Sequence, residues 1–183
     1  MRLRTWLVTI FAFLIASVPA VAREDFYVPN AALLPVSASV PLGFSLHCLM
    51  HPVDCEAGGV PLVFKTPQLM NQLTAVNRAV NASIIPTAGL ESAVWQVDPT
   101  RGNCHDYALT KRQHLIELGL PPSALRLAYV KTERGDGHAV LIVETDRGEL
   151  VLDNLTGLIL PKSQTRLRFI SASTANPREW VML

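Results

Sequence analysis

A cysteine, a histidine and an aspartate stand side by side at Cys104, His105 and Asp106. These residue types can perform nucleophilic acyl chemistry. A thiolate attacks a carbonyl, an imidazole moves the proton, and a carboxylate orients the imidazole. Adjacent residues cannot share that work. On a helix, neighbours point about 100° apart around the axis, so they do not face one another. The partners of Cys104 must come from elsewhere in the chain.

The local residues have simpler expected roles. Asn103 is a good N-cap, and Asp106, three residues on, stands where a capping-box acid belongs. The helix should run to about Leu118 and stop at Gly119, with Pro121 and Pro122 preventing continuation. Cys104 then lies on the first turn, where unpaired N–H groups and the helix dipole favour a thiolate. His105 is expected to face solvent, and His114 lies mid-helix, far from Cys104.

Two later residues fit the partner roles. His138 opens an apolar run just after Gly135-Asp136-Gly137, and Asp153 interrupts a second apolar run between Leu152 and Asn154. Aspartate is disfavoured inside strands, so this one needs an explanation. Side chains alternate between the faces of a strand. In the right register His138 and Asp153 share a face, but the turn chemistry does not fix that register. Ordinary strand-end polar residues are the alternative.

The elements that would position these groups follow from periodicity. Leu69, Leu73, Val76 and Val80 recur at helical spacing, with Thr66 as cap and Pro67 at the first position. Residues 23–64 show no helical period and read as an extended arm ending in a cysteine loop, and 84–102 as an irregular connector. ALRLAYVK, HAVLIVET, ELVLDNL and LRFIS read as strands, with Asp146-Arg147-Gly148 turning the second into the third. Helices first and an antiparallel sheet after them make an α+β order.

The first residues are set aside as a leader. Arg2 and Arg4 precede an apolar run from Trp6 to Val18, and Ala20-Val21-Ala22 is a small-residue cleavage pattern. This reads as a signal peptide, 1–22, followed by a single domain, 23–183. Its removal takes away two arginines, leaving 14 basic against 15 acidic residues. No basic patch points to nucleic acid, and no later apolar run is long enough to span a bilayer. A soluble, periplasmic or secreted protein is expected.

In an oxidising compartment, Cys48 and Cys55 are close enough in FSLHCLMHPVDC to pair as a disulfide, which leaves Cys104 as an odd thiol. A reactive thiol, a buried inert one and an intermolecular disulfide are the readings open to it. His47 and His51 are expected at the surface. The segment lacks the paired spacing of a structural zinc site, so no metal is expected there.

Taken in order, these residues resemble the bacterial transglutaminase-like cysteine peptidases of the transglutaminase/papain-like superfamily. The resemblance rests on Gly43 with Cys48, Pro52 and Cys55; on Asn77 and Asn81; and on Trp95 and Pro99. It continues through Gly102-Asn103-Cys104-His105-Asp106-Tyr107-Ala108 with Lys111 and Leu115, Gly137-His138-Ala139-Val140-Leu141, and Leu152-Asp153-Asn154. It implies a papain/transglutaminase-like core with the nucleophile at a helix N-terminus packed on an antiparallel sheet. It also implies Cys104 as nucleophile, His138 as general base and then acid, and Asp153 as orienter. Trp95 would be a candidate oxyanion donor, with core packing as its other role.

The substrate so implied is a protein or peptide, with a cell-envelope protein as one candidate. A transglutaminase-like acyltransferase or amidase, or a non-catalytic binding module, could use the same residues. In the calcium-dependent branch of the family acids directly flank the cysteine. Here those positions are Asn103 and His105, which removes hard oxygen ligands. No cofactor is expected.

Overall fold

The structure is a computed structural model that describes residues 35–87 and 93–183. The expected signal peptide, its expected cleavage site and the start of the arm lie outside the described residues. In chain order the elements are β1 (Ser37–Ala38), α1 (Leu42–Met50), α2 (Pro67–Ser83), β2 (Ile85–Pro86), β3 (Arg101–Gly102) and α3 (Cys104–Glu117). The strands β4 (Leu125–Lys131), β5 (Gly137–Val143), β6 (Leu150–Leu152), β7 (Leu160–Pro161), β8 (Arg168–Ser173) and β9 (Trp180–Met182) follow.

Seven strands form one sheet in the order β1-β9-β8-β4-β5-β6-β7, antiparallel at every pairing. Three helices cover one face, which gives the α+β architecture. The main core lies between them. Phe44 comes from α1, Leu69, Leu73, Val76 and Val80 from α2, and Leu109 and Leu115 from α3. They meet Leu125, Leu127, Leu141, Val143, Leu150 and Leu152 of the sheet. The alternate strand residues Val130, Val140, Ile142 and Val151 form a smaller cluster on the opposite face, as the two-residue period requires.

Three expectations need correction. The arm 23–64 contains the helix α1, which has no side-chain N-cap and starts after Pro41. Its inward face carries His47 and Cys48 beside Phe44, while Leu42, Leu49 and Met50 are exposed. Apolar residues outside and a histidine inside erase the helical pattern. The connector 84–102 contributes β2 and β3, a short parallel pair. The third strand is shorter than its apolar run, and Asp153 falls just past its end rather than inside it.

Candidate active site

The nucleophile helix is built as its punctuation implies. Asn103 Oδ1 accepts the His105 N–H at 3.0 Å, and Asp106 Oδ2 reaches back to the Asn103 N–H at 2.9 Å. That is a capping box. Asp106 Oδ1 also accepts the Gln96 N–H at 2.8 Å, so one carboxylate ties the start of α3 to the segment around Trp95. Gly102 makes room for it, because a Cβ there would lie 2.7 Å from Asp106 Oδ2. Cys104 is the first residue of α3, partly exposed and free. Cys48 and Cys55 form a disulfide.

The register of the sheet is the fact that sequence could not supply. Leu141 pairs with Leu152, and Ile142 with Val151. The pairing ends there, so Asp153, directly after Leu152, emerges at the same end of the sheet as His138, which lies at the start of β5. His138 Nε2 meets Asp153 Oδ1 at 2.7 Å, and both side chains are buried. Oδ1 also accepts the Leu155 N–H at 3.0 Å. Cys104, at the start of α3, lies close enough to His138 to raise its pKa.

Burial alone would lower the pKa of His138. The Asp153 hydrogen bond, then the Cys104 hydrogen bond and the charges of both, outweigh it and push His138 up to about 9. Asp153 is held below the ordinary carboxylate range: burial opposes this, but the bonds from His138 and the Leu155 N–H and the charges of His138 and Lys111 prevail. Lys111, two turns along α3 from Cys104, is fully buried. Burial pulls it down to about 7, with the Asp153 charge opposing. The three groups that the sequence singled out thus meet at one place, and Lys111 is an addition. Its signal was a lysine on the inward face of a helix.

The remaining candidates are placed elsewhere. His105 is not solvent-facing: its ring stacks on Trp95, with centroids 4.6 Å apart and planes 9° apart. Its Nδ1 is buried without a hydrogen-bond partner, and burial lowers its pKa. Trp95 is buried against Phe44, and its Cδ1–Nε1 edge lies on Gly43, where a Cβ would come within 2.5 Å of Cδ1 and 2.7 Å of Nε1. His47 is buried rather than superficial, with Nδ1 3.1 Å from the Trp95 carbonyl and Nε2 3.2 Å from Asp54 Oδ2. His51 is exposed and stacks on it. His114 lies against Asp98. Among the described residues, no group of three or more His, Cys, Asp or Glu side chains is arranged to hold a metal ion.

A family model described as bacterial transglutaminase-like cysteine proteinase matches residues 35–183. The chain belongs to this family. Its cysteine, histidine and aspartate motifs all lie within the matched span. Solved structures of LapG from Legionella pneumophila are similar to this proteinase-family chain. One has 26% identity and a TM-score of 0.52, over 61% of this chain and 66% of LapG. An EGTA-treated form has 26% identity and a TM-score of 0.51, over 60% and 64%. A calcium-bound form has 27% identity and a TM-score of 0.53, over 64% and 71%. In the first two the chain spans just under two thirds of LapG. No curated protein sequence matches this family member significantly.

Each oxygen of Asp106 accepts one backbone N–H. Asn103 Oδ1 is occupied by the cap, and His105 offers nitrogen where calcium prefers oxygen.

Proposed function

We propose that this chain is an exported cysteine endopeptidase that hydrolyses peptide bonds with Cys104, His138 and Asp153 as its triad. The observation that carries the reading is the position of His138, hydrogen-bonded to Asp153 and close enough to Cys104 for the thiol to raise its pKa. A histidine raised to about 9 is protonated at neutral pH. It therefore enters the reaction as an imidazolium beside a thiolate at a helix N-terminus.

The thiolate attacks the scissile carbonyl carbon, and the new C–S bond gives a tetrahedral oxyanion. We assign the Cys104 backbone N–H as its donor. Trp95, whose indole edge rests on Gly43, serves by packing under His105. His138 gives its proton to the departing amine, the C–N bond breaks, and a thioester remains. Water then adds to the thioester as His138 takes its proton. The acid leaves and the thiolate–imidazolium pair is restored. Asp153 keeps its proton off throughout and holds the ring.

The Cys48–Cys55 disulfide supports a site outside the cytoplasm. The substrate class is a protein or peptide of the cell envelope. We assign no calcium to the reaction, because Asn103 and His105 flank the nucleophile where hard carboxylate ligands would be needed. The test is cleavage of denatured envelope proteins by purified variants. Cys104→Ala and His138→Ala should be inactive yet folded, with His105→Ala milder. A His105→Ala loss greater than that of His138→Ala would overturn the assignment.

A further inference from the structure

Asp153 stands just past the end of β6. The segment beyond it lies at the surface, with Leu155 and Leu158 exposed. Yet its carboxylate must sit within hydrogen-bond reach of a buried ring. The bonds that hold it come from α2. Asn81 Nδ2 donates to the Asp153 carbonyl at 3.0 Å and to the Thr156 carbonyl at 3.3 Å. Asn77 Nδ2, one turn earlier on the same helix face, donates to the Thr156 carbonyl at 3.4 Å.

These asparagines are poor choices for packing alone. Asn77 is fully buried in a helix that otherwise buries leucine and valine. The Oδ1 atoms of both are buried and find no donor. An orphaned buried acceptor destabilises a fold, so an apolar residue would cost less if filling space were the only demand. Turning the amides over would not help, since it would set Oδ1 against carbonyl oxygens.

We propose that Asn81, supported by Asn77, is a positioning residue that clamps the Asp153 turn to α2 and so sets the His138–Asp153 hydrogen bond. The role rests on the triad reading above. Loosening the clamp lets Asp153 drift, weakens its hold on His138, and lets the histidine fall back from about 9 towards its ordinary value. A purely structural asparagine would lower stability and leave the histidine where it is.

The readout is alkylation of Cys104, the one cysteine outside the disulfide. Iodoacetate is an anion drawn to an imidazolium, and iodoacetamide is neutral. The ratio of their rates, followed against pH, cancels the thiolate fraction and reports the protonation of His138. In the wild type this ratio should fall near pH 9. In Asn81→Leu the fall should move down by about one pH unit. Asn81→Ser, which leaves room for water, serves if the leucine variant does not fold. Val76→Ala, a core truncation on the same helix, should lower Tm and leave the midpoint in place. Wild-type midpoints in folded Asn81→Leu and Asn81→Ser overturn the clamp. A wild-type ratio that ignores pH and His138→Ala overturns the triad reading instead.

Discussion

Asp153→Asn isolates the charge of the orienting carboxylate from its geometry. Asp153 Oδ1 accepts two donors, His138 Nε2–H and the Leu155 N–H. In the asparagine variant those two donors select the amide oxygen for the same place, so the ring stays oriented while the negative charge is lost. His138 then loses the charge and keeps a weaker neutral hydrogen bond, with burial still pulling it down from about 9. A fall to about 7.5 is the expected size. At pH 8.5 the protonated fraction would drop from roughly three quarters to roughly one tenth. Near pH 6.5 it would barely change. Cleavage at pH 8.5 relative to pH 6.5 should therefore fall by about eightfold in the variant. The assay is a pH–rate profile of peptide cleavage, with circular dichroism as a folding check. An alkaline limb left at the wild-type position would refute the reasoning. A loss equal at every pH would also refute it, because it would make Asp153 a matter of placement and not of charge.

Other outcomes follow from the same structure. Two buried bases oppose each other between about pH 7 and 9. His138, raised to about 9, gives stability that is full below 6.5 and lost as pH rises through 9. Lys111, lowered from 10.5 to about 7, carries a penalty that is relieved as pH rises above 7. Lys111→Met removes only the second slope, so its Tm should fall more steeply than wild type from pH 7 to 9; parallel Tm profiles would contradict this. Arg112 is fully buried and binds the Leu125 carbonyl at 3.2 Å and the Asp54 carbonyl at 2.6 Å. Arg112→Ala orphans both acceptors at about 1–3 kcal/mol each, so urea unfolding should show a loss of about 2–6 kcal/mol; a loss below about 1 kcal/mol would contradict the role. EGTA should leave cleavage unchanged and added calcium should not raise it. A calcium-dependent rate would show that Asp106 gives up its backbone bonds to a metal.

The parts legible in the sequence were those with local causes. The start of α3 follows from Asn103 and Asp106, and α2 from its apolar period and Thr66. The anomaly of an aspartate ending an apolar run pointed to Asp153. What stayed hidden depended on contacts across the chain. Only the folded β5–β6 pairing brings Asp153, just past β6, to His138 at the start of β5. α1 escaped because its buried face carries a histidine and a disulfide cysteine while leucines face out. His105 read as exposed because nothing local shows that Trp95 lies parallel to it. Asn81 gave no sign either, since its partners are carbonyls 72 and 75 residues away.

The central claim is that Cys104 passes a peptide acyl group to water. The most direct measurement is digestion of a denatured envelope-protein extract in water enriched in 18O, with mass spectrometry of the new C-termini. New C-termini should carry the label with the wild-type protein, and Cys104→Ala should produce none. Unlabelled amine adducts, or cleavage that survives Cys104→Ala, would contradict it.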